Sequence, residues 1–147
     1  MTNGVTKMQV LFHESVDDEL LKFAVIIAKY RGRWVYCKHW KRRTYEFPGG
    51  HRKAGETIEQ AARREFFEET GAKKFTLTPV SAYSVKDEEK EEFGMLYCAQ
   101  VEEFDLKQDA EIEKIYFLDA HPETHTLTYP VIQPLLVEEA ERRGFFK

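Results

Sequence analysis

Residues 49–72 read GGHRKAGETIEQAARREFFEETGA. Within this stretch Thr57 and Gln60 have the spacing of a capping box, in which a threonine side chain caps a helix and the glutamine three residues later reaches back to its amide. Gly71 is suited to the left-handed conformation in which many helices end. The pattern therefore predicts a helix from Ile58 to Thr70.

The acidic residues of this helix fall on the side that also holds its small and apolar residues. At 100° per residue, that side contains Ile58, Ala61, Ala62, Glu65, Glu68 and Glu69. A glutamate-rich helix is usually a solvated surface helix, but these glutamates point inward or to the edge. Two carboxylates ~6 Å apart repel by roughly 3 kcal/mol at an effective dielectric of about 20. A divalent cation would offset that repulsion directly, since carboxylate oxygens are its preferred ligands.

A glycine-containing turn precedes the helix. In Phe47-Pro48-Gly49-Gly50 the paired glycines let the backbone approach a ligand or lend it a carbonyl oxygen. Basic side chains follow at once, and Arg52 and Lys53 are the candidates for binding substrate. Together with the acidic helix face, the turn indicates a site for a metal and an anionic substrate.

Length and composition bound the remaining possibilities. The chain has 147 residues, 42% of them hydrophobic and 33% charged, which is typical of one globular domain over residues 1–147. The formal charge of −4 gives no basic field for binding a nucleic-acid backbone. The longest apolar run is the six residues 23–28, which is far short of a membrane span, and the start lacks a signal peptide. We expect a cytoplasmic protein, either monomeric or homodimeric, that does not bind membranes.

The order of the elements predicts the architecture. Strand-like runs surround the helix, and Gly32 marks a hairpin turn between two of them. A second helix is predicted over residues 129–143, after its early prolines. The strand-like runs are residues 8–12, 23–30, 34–38, 75–85, 93–101 and 115–118. We therefore predict an α+β fold, or α/β/α sandwich, in which a mixed sheet is flanked by the two helices.

The same stretch resembles the signature of the Nudix hydrolases. Every charged and glycine position of that signature is present over the 23 residues 50–72: Gly50, Glu56, Arg64, Glu65, Glu68, Glu69 and Gly71. Ala72 departs mildly, because the family favours a bulkier aliphatic residue there. Residues 9–12, 45–50 and the segment near Trp34 are more narrowly similar to the YtkD branch of the MutT-like nucleoside triphosphate pyrophosphohydrolases.

The resemblance implies the Nudix fold, a Mg²⁺ or Mn²⁺ cofactor and a role for each residue of the signature over residues 50–72, which is called the Nudix box. Glu65 and Glu69 would be the principal metal ligands, and Glu68 a ligand or the acceptor of a proton from metal-bound water. The carbonyl of Gly49 would be a further ligand. Arg64 would orient the glutamates, and Glu56 would brace the loop.

Many relatives carry an additional catalytic glutamate beyond the box. Glu111 and Glu113 are the candidates that this resemblance suggests, in preference to the acidic run over residues 87–92. That run is interpreted as a solvated hairpin loop.

The implied reaction is hydrolysis of a nucleoside diphosphate linked to another group. The leading hypothesis is conversion of a nucleoside triphosphate, including oxidised ones such as 8-oxo-dGTP, to the monophosphate and pyrophosphate. The alternatives keep the chemistry but change the substrate to a nucleotide sugar, a dinucleoside polyphosphate or an RNA 5′ end. A different class of answer is a non-catalytic nucleotide-binding regulator, whose usual sign would be loss of box glutamates, and none is lost.

Overall fold

The computed structural model describes residues 8–39, 41–105 and 112–146. These residues form eight strands and two α-helices. In chain order they are β1 Gln9–His13, β2 Leu21–Tyr30, β3 Arg33–His39, β4 Tyr45–Glu46, β5 Gly49–His51, α1 Ile58–Thr70, β6 Ala72–Lys86, β7 Glu91–Phe104, β8 Ile112–Leu118 and α2 Ile132–Arg142. Neither helix of the described segments is long and apolar enough to cross a membrane.

Strand β2 lies at the centre of a mixed sheet. It pairs in parallel with β7, and β7 continues the sheet through antiparallel pairs with β6 and then β1. On its other edge β2 meets β3 only near the hairpin turn, at Lys29 and Tyr30. Because β3 then turns away to pair with β4 and β8, the start of that edge is free for β5. Residues 49–51 are thereby held beside residues 23–25.

Helix α1 has the predicted ends. Thr57 accepts a hydrogen bond from the amide of Gln60, and the Gln60 side chain accepts one from the amide of Thr57, which completes the capping box. Gly71 ends the helix in the left-handed region at φ 79°, and a Cβ there would also overlap the carbonyl of Asp105. Local sequence therefore fixes both ends of this helix.

The two helices lie on opposite faces of the sheet. Alternate residues of β2 contribute to two core clusters, so Ala24 and Ile26 pack with Phe66 of α1, while Ile27 packs with Leu136 of α2. This arrangement confirms the predicted three-layer α/β/α sandwich. The hairpin is confirmed as well, with Arg31 at φ 50° and Gly32 at φ 80° in its turn.

Helix α2 is shorter than predicted at its start. The sequence favours a helix from Tyr129, but the structure begins it at Ile132. Pro130 lies before the helix, and Pro134 lies within the first turn, where a backbone N–H has no partner inside the helix and its loss costs little.

The buried Glu139 of α2 gives a test of pH-dependent stability. Its carboxylate accepts hydrogen bonds from Arg142 and Arg143 at 2.6 Å each, and these contacts lower its pKa. A lowered pKa stabilises the folded state above the ordinary glutamate pKa, and this stabilisation is lost as the pH falls through the lowered value. We expect Glu139→Gln to lower the melting temperature at about pH 7, and to lower it much less at about pH 3.

The control for this experiment is Glu138→Gln, which makes the same change at the exposed neighbouring position. We expect the control to change the free energy of unfolding by less than about 0.5 kcal/mol. Equal destabilisation by Glu139→Gln at both pH values would contradict the prediction.

Candidate active site

The three predicted glutamates of α1 lie at the edge of the helix that faces β5. Glu65 has a side chain that is 19% exposed, Glu68 is 47% exposed, and Glu69 is half-buried. Ile58, Ala61, Ala62, Phe66 and Thr70 are the buried residues of the same helix. The glutamates therefore border the core, as their helical positions predict.

Arg64 joins three carboxylates to the loop. Its Nε and Nη2 donate to the two oxygens of Glu56 at 2.6 and 2.9 Å, and its Nη1 donates to Glu65 at 2.8 Å and Glu68 at 3.0 Å. Nη2 also donates to the carbonyl of His51 at 3.0 Å. These hydrogen bonds lower the pKa of Glu56 to about 2, so that carboxylate stays ionised. Arg64 thus fixes the positions of the glutamates relative to β5.

Glycines at 49 and 50 allow this close approach. The amide of Gly49 donates to Glu69 Oε1 at 2.7 Å. A Cβ at Gly49 would overlap the carbonyl of Ala24, and a Cβ at Gly50 would overlap the carboxylate of Glu65. Both positions therefore need a residue without a side chain because neighbouring atoms already occupy that space.

The donor set fits a divalent cation. Burial raises the pKa of Glu65, and the adjacent Glu68 raises it further, while Arg64 acts in the opposite direction. Carboxylates held next to one another in a partly buried site require positive charge, and their hard oxygens suit Mg²⁺ or Mn²⁺.

The convergence of Glu65, Glu68 and Glu69 on one cation stays a prediction. No group of three or more His, Cys, Asp or Glu side chains in the described part of the chain is arranged to hold a metal ion. Glu69 accepts from the amide of Gly49, while Arg64 bridges the other two glutamates. Hydrogen bonds from Arg64 and from the amide of Gly49 therefore hold the three carboxylates beside β5.

Arg52 has a different partner from the predicted substrate. Its guanidinium donates to the carboxylate and carbonyl of Asp18 at 2.7 Å and to the carbonyl of Glu19 at 2.6 Å. The other carboxylate oxygen of Asp18 accepts from the amide of Ile58, the first residue of α1. Arg52 therefore holds the start of α1 to the segment before β2, and its predicted contact with substrate stays a prediction.

The other predicted residues are less constrained by the structure. Lys53 is exposed, and its amide donates to Glu56 at 2.8 Å. Glu111 lies outside the described residues, and for Glu113 the backbone in β8 is described. The acidic run forms the turn between β6 and β7, where Asp87 accepts hydrogen bonds from the amides of Glu89 and Lys90.

A cavity of about 330 Å³ opens beside the glutamates. We call Glu56, Glu65, Glu68 and Glu69 the acidic cluster. The cavity borders this cluster at Gly49, Gly50 and His51, and its opposite wall comes from α2 and the segment before it. Its apolar walls include Phe23, Val25, Phe47, Tyr83, Val85, Ile132 and Leu136. The sequence did not reveal this cavity, because aromatic residues such as Phe47 and Tyr83 are typical of a core, and here they are buried and also line the cavity.

Polar groups interrupt the apolar wall at Glu46 and Gln133, and also at His51 and Glu92. Glu46 Oε2 accepts from Thr128 Oγ1 at 2.9 Å and lies 3.5 Å from Arg42 Nε. Gln133 is 3% exposed, and its Oε1 accepts from the amide of Tyr129 at 2.9 Å. Nε2 of Gln133 is buried without a hydrogen-bond partner among the described residues. The cavity therefore combines aromatic surface with a few fixed polar atoms, which is typical of a ligand site.

Known proteins share this fold and this site region. YtkD of Bacillus subtilis (strain 168), provisionally named an 8-oxo-dGTP diphosphatase, is 33% identical over 102 residues, which cover 69% of this chain and 64% of YtkD. An RNA pyrophosphohydrolase of Baumannia cicadellinicola is 38% identical over 47 residues, or 32% of this chain and 30% of that protein. The chain thus spans less than two thirds of either relative.

Solved structures give broader coverage. The crystal structure of a mutant of the Bacillus subtilis pyrophosphohydrolase BsRppH superposes with a TM-score of 0.80 at 26% identity, covering 97% of this chain and 94% of that one. The family model described as the NUDIX domain matches residues 20–131, which include both the acidic helix and most of the cavity wall. The chain therefore belongs to the NUDIX family.

Proposed function

We propose that the protein is a metal-dependent pyrophosphohydrolase that converts a nucleoside triphosphate to the monophosphate and pyrophosphate. The observation that carries this proposal is the shared border, at Gly49, Gly50 and His51, between the acidic cluster and the cavity. A ligand lying across that border would have its base in the aromatic cavity and its phosphates beside the glutamates. A nucleoside polyphosphate has this combination of an aromatic end and an anionic end.

Each residue of the acidic cluster has a proposed part. Glu65, Glu68 and Glu69, with the carbonyl of Gly49, would hold Mg²⁺ or Mn²⁺. When bound, the cation supplies positive charge to the phosphate oxygens and acidifies a neighbouring water molecule. Arg64 would keep Glu65 and Glu68 in place, since it donates to both at 2.8 and 3.0 Å. Glu56 anchors Arg64 from the other side, through two hydrogen bonds to the guanidinium.

The chemical step would add water across the α–β phosphate bridge. Water attacks a phosphorus atom, the bridging P–O bond breaks, and the elements of water are divided between the monophosphate and the pyrophosphate. Glu68 would accept the proton of the attacking water, because it is the most exposed of the three helix glutamates. Positioning and electrostatics supply most of the rate in such phosphoryl chemistry.

A second candidate substrate is a 5′-triphosphorylated RNA end. It is favoured by the basic turn that contains Lys41, Arg42 and Arg43, which is held at the cavity rim by the contact between Arg42 and Glu46. Those cations would neutralise phosphates of a chain that continues beyond the first nucleotide. The name of the Baumannia protein, an RNA pyrophosphohydrolase, supports the same candidate.

A substrate panel tests both candidates. We expect nucleoside triphosphates with Mg²⁺ or Mn²⁺ to yield orthophosphate only when inorganic pyrophosphatase is added, because the direct product is pyrophosphate. Excess EDTA is expected to stop turnover, and restored metal to recover it.

Parallel reactions separate the candidates. They use a 5′-triphosphorylated oligoribonucleotide, a nucleotide sugar and a dinucleoside polyphosphate. A much higher kcat/KM for the oligoribonucleotide than for every free nucleotide would favour the RNA candidate. Absence of turnover with any compound containing a diphosphate linkage would refute an enzymatic function.

A further inference from the structure

The carboxamide of Gln133 has one fixed end and one unsatisfied end. Its side chain lies in the cavity wall on the first turn of α2 and is 3% exposed. The amide N–H of Tyr129 requires an acceptor, so Oε1 must face it, and the 2.9 Å hydrogen bond fixes the orientation of the group. Nε2 therefore has to point the other way, and it is buried without an acceptor in the described part of the chain.

An unpaired buried donor is unfavourable, and few of them occur in folded proteins. Where one lies in the wall of a cavity, a ligand that brings an acceptor oxygen or nitrogen relieves the deficit. Gln133 is therefore poised to receive a hydrogen-bond acceptor from whatever enters the cavity.

Glu46 offers the opposite property in the same cavity. Its side chain is 15% exposed, and Thr128 Oγ1 donates to Oε2 at 2.9 Å. Thr128 also hydrogen-bonds to Thr44, at 2.6 Å, and this second contact helps to fix the hydroxyl group that binds the carboxylate. Arg42 Nε lies 3.5 Å from the same Oε2, but each carboxylate oxygen has two lone pairs, so Glu46 can still accept from a ligand edge with neighbouring N–H groups.

We infer that Gln133 and Glu46 determine the preferred base, and that this base is guanine. The inference rests on the proposed function, since it assigns the cavity to the nucleobase of the substrate. Guanine presents one carbonyl acceptor, O6, followed by two donors, N1–H and the exocyclic N2 amino group. The carbonyl suits Nε2 of Gln133, and the two donors suit the carboxylate of Glu46.

The other bases match this pair less well. Adenine has no carbonyl acceptor and presents a single donor group on its pairing edge. Uracil and cytosine have one ring, which fills less of a cavity of about 330 Å³ that is walled by Phe23, Phe47 and Tyr83. Oxidation of guanine at C8 leaves the O6, N1 and N2 edge unchanged, so Gln133 and Glu46 would accept GTP and 8-oxo-GTP alike.

The test compares kcat/KM for GTP, ITP and ATP in the wild type and in two variants. Gln133→Glu keeps an oxygen for the Tyr129 amide but replaces the donor with an acceptor, and we expect it to lower the GTP-to-ATP ratio by roughly tenfold or more. Glu46→Gln is expected to lower the GTP-to-ITP ratio, because ITP lacks the N2 amino group. A Gln100→Glu control makes the first substitution at an exposed site on β7 and should leave both ratios unchanged.

The outcomes separate this inference from the proposed function. A GTP-to-ATP ratio that changes by less than about twofold in Gln133→Glu would overturn the inference even if turnover is normal. If the wild type hydrolyses no nucleotide, the affinities for GMP and AMP measured by calorimetry still test the preference for guanine. Tighter binding of GMP that Gln133→Glu abolishes would support the inference, while equal binding of both would refute it.

Discussion

Glu69→Gln is expected to lower kcat for pyrophosphate release by about 10²-fold or more while the protein stays folded. Glutamine keeps an oxygen that can accept from the amide of Gly49, so the contact at 2.7 Å survives. What is lost is the negative charge that we propose as part of the cation site. Steady-state turnover measured with coupled pyrophosphatase gives kcat, and thermal unfolding shows whether the fold is intact.

Glu59→Gln is the matched control for this substitution. Glu59 lies on the same helix but faces solvent, where it pairs with Arg63 at 3.2 Å. Exposed pairs of this kind contribute little to stability, so the control should retain full activity and nearly the same melting temperature. If Glu69→Gln were as active as Glu59→Gln, the proposed cation site would be in the wrong place.

Gly50→Ala is expected to lower kcat/KM by about 10²-fold although it adds one methyl group. The new Cβ would overlap the carboxylate of Glu65, so that side chain must leave its position between Arg64 and the loop. The main chain at β5 is also paired with β2 and cannot easily move away. The measurement is kcat/KM for the best substrate of the panel, together with the melting temperature.

Gly32→Ala separates the loss of a glycine from the loss of the site. A Cβ at Gly32 meets nothing within 4 Å, but its φ of 80° costs alanine roughly 1–2 kcal/mol. We therefore expect Gly32→Ala to lower the melting temperature and keep kcat/KM. Gly50→Ala should instead lower kcat/KM and nearly keep the melting temperature. Retention of more than half of the wild-type kcat/KM by Gly50→Ala would refute the steric argument.

The parts of this molecule that were predictable depend on contacts between residues close in sequence. Helix α1 begins and ends where predicted because the contacts at each end are local. Thr57 and Gln60 bind each other at its start, and the amide of Gly71 donates to the carbonyl of Phe67 at its end. The hairpin between β2 and β3 follows from the glycine in its turn and the β-branched and aromatic residues of its strands. The position of the box glutamates at the edge of the core follows from the helical period alone.

The parts that escaped prediction depend on distant partners. The basic turn before α1 suggests phosphate binding, but Arg52 is bound by Asp18, which lies 34 residues earlier in the chain. The hydrogen bond from the amide of Gly49 to Glu69 joins residues that are 20 positions apart, and the helical period alone does not predict it. Gln133 gave no signal because a polar residue near a helix start is ordinary, and its importance arises from its position in the cavity wall.

The arrangement around Arg64 would separate folding from binding of the proposed cation. One guanidinium already compensates much of the charge of Glu56, Glu65 and Glu68, so the acidic cluster holds together in the chain by itself. In zinc fingers, by contrast, metal binding supplies the free energy of folding, and the chain unfolds when the metal is removed. Here a cation could be lost and regained while the protein stays folded, and the supply of free cation would set the active fraction rather than the amount of protein.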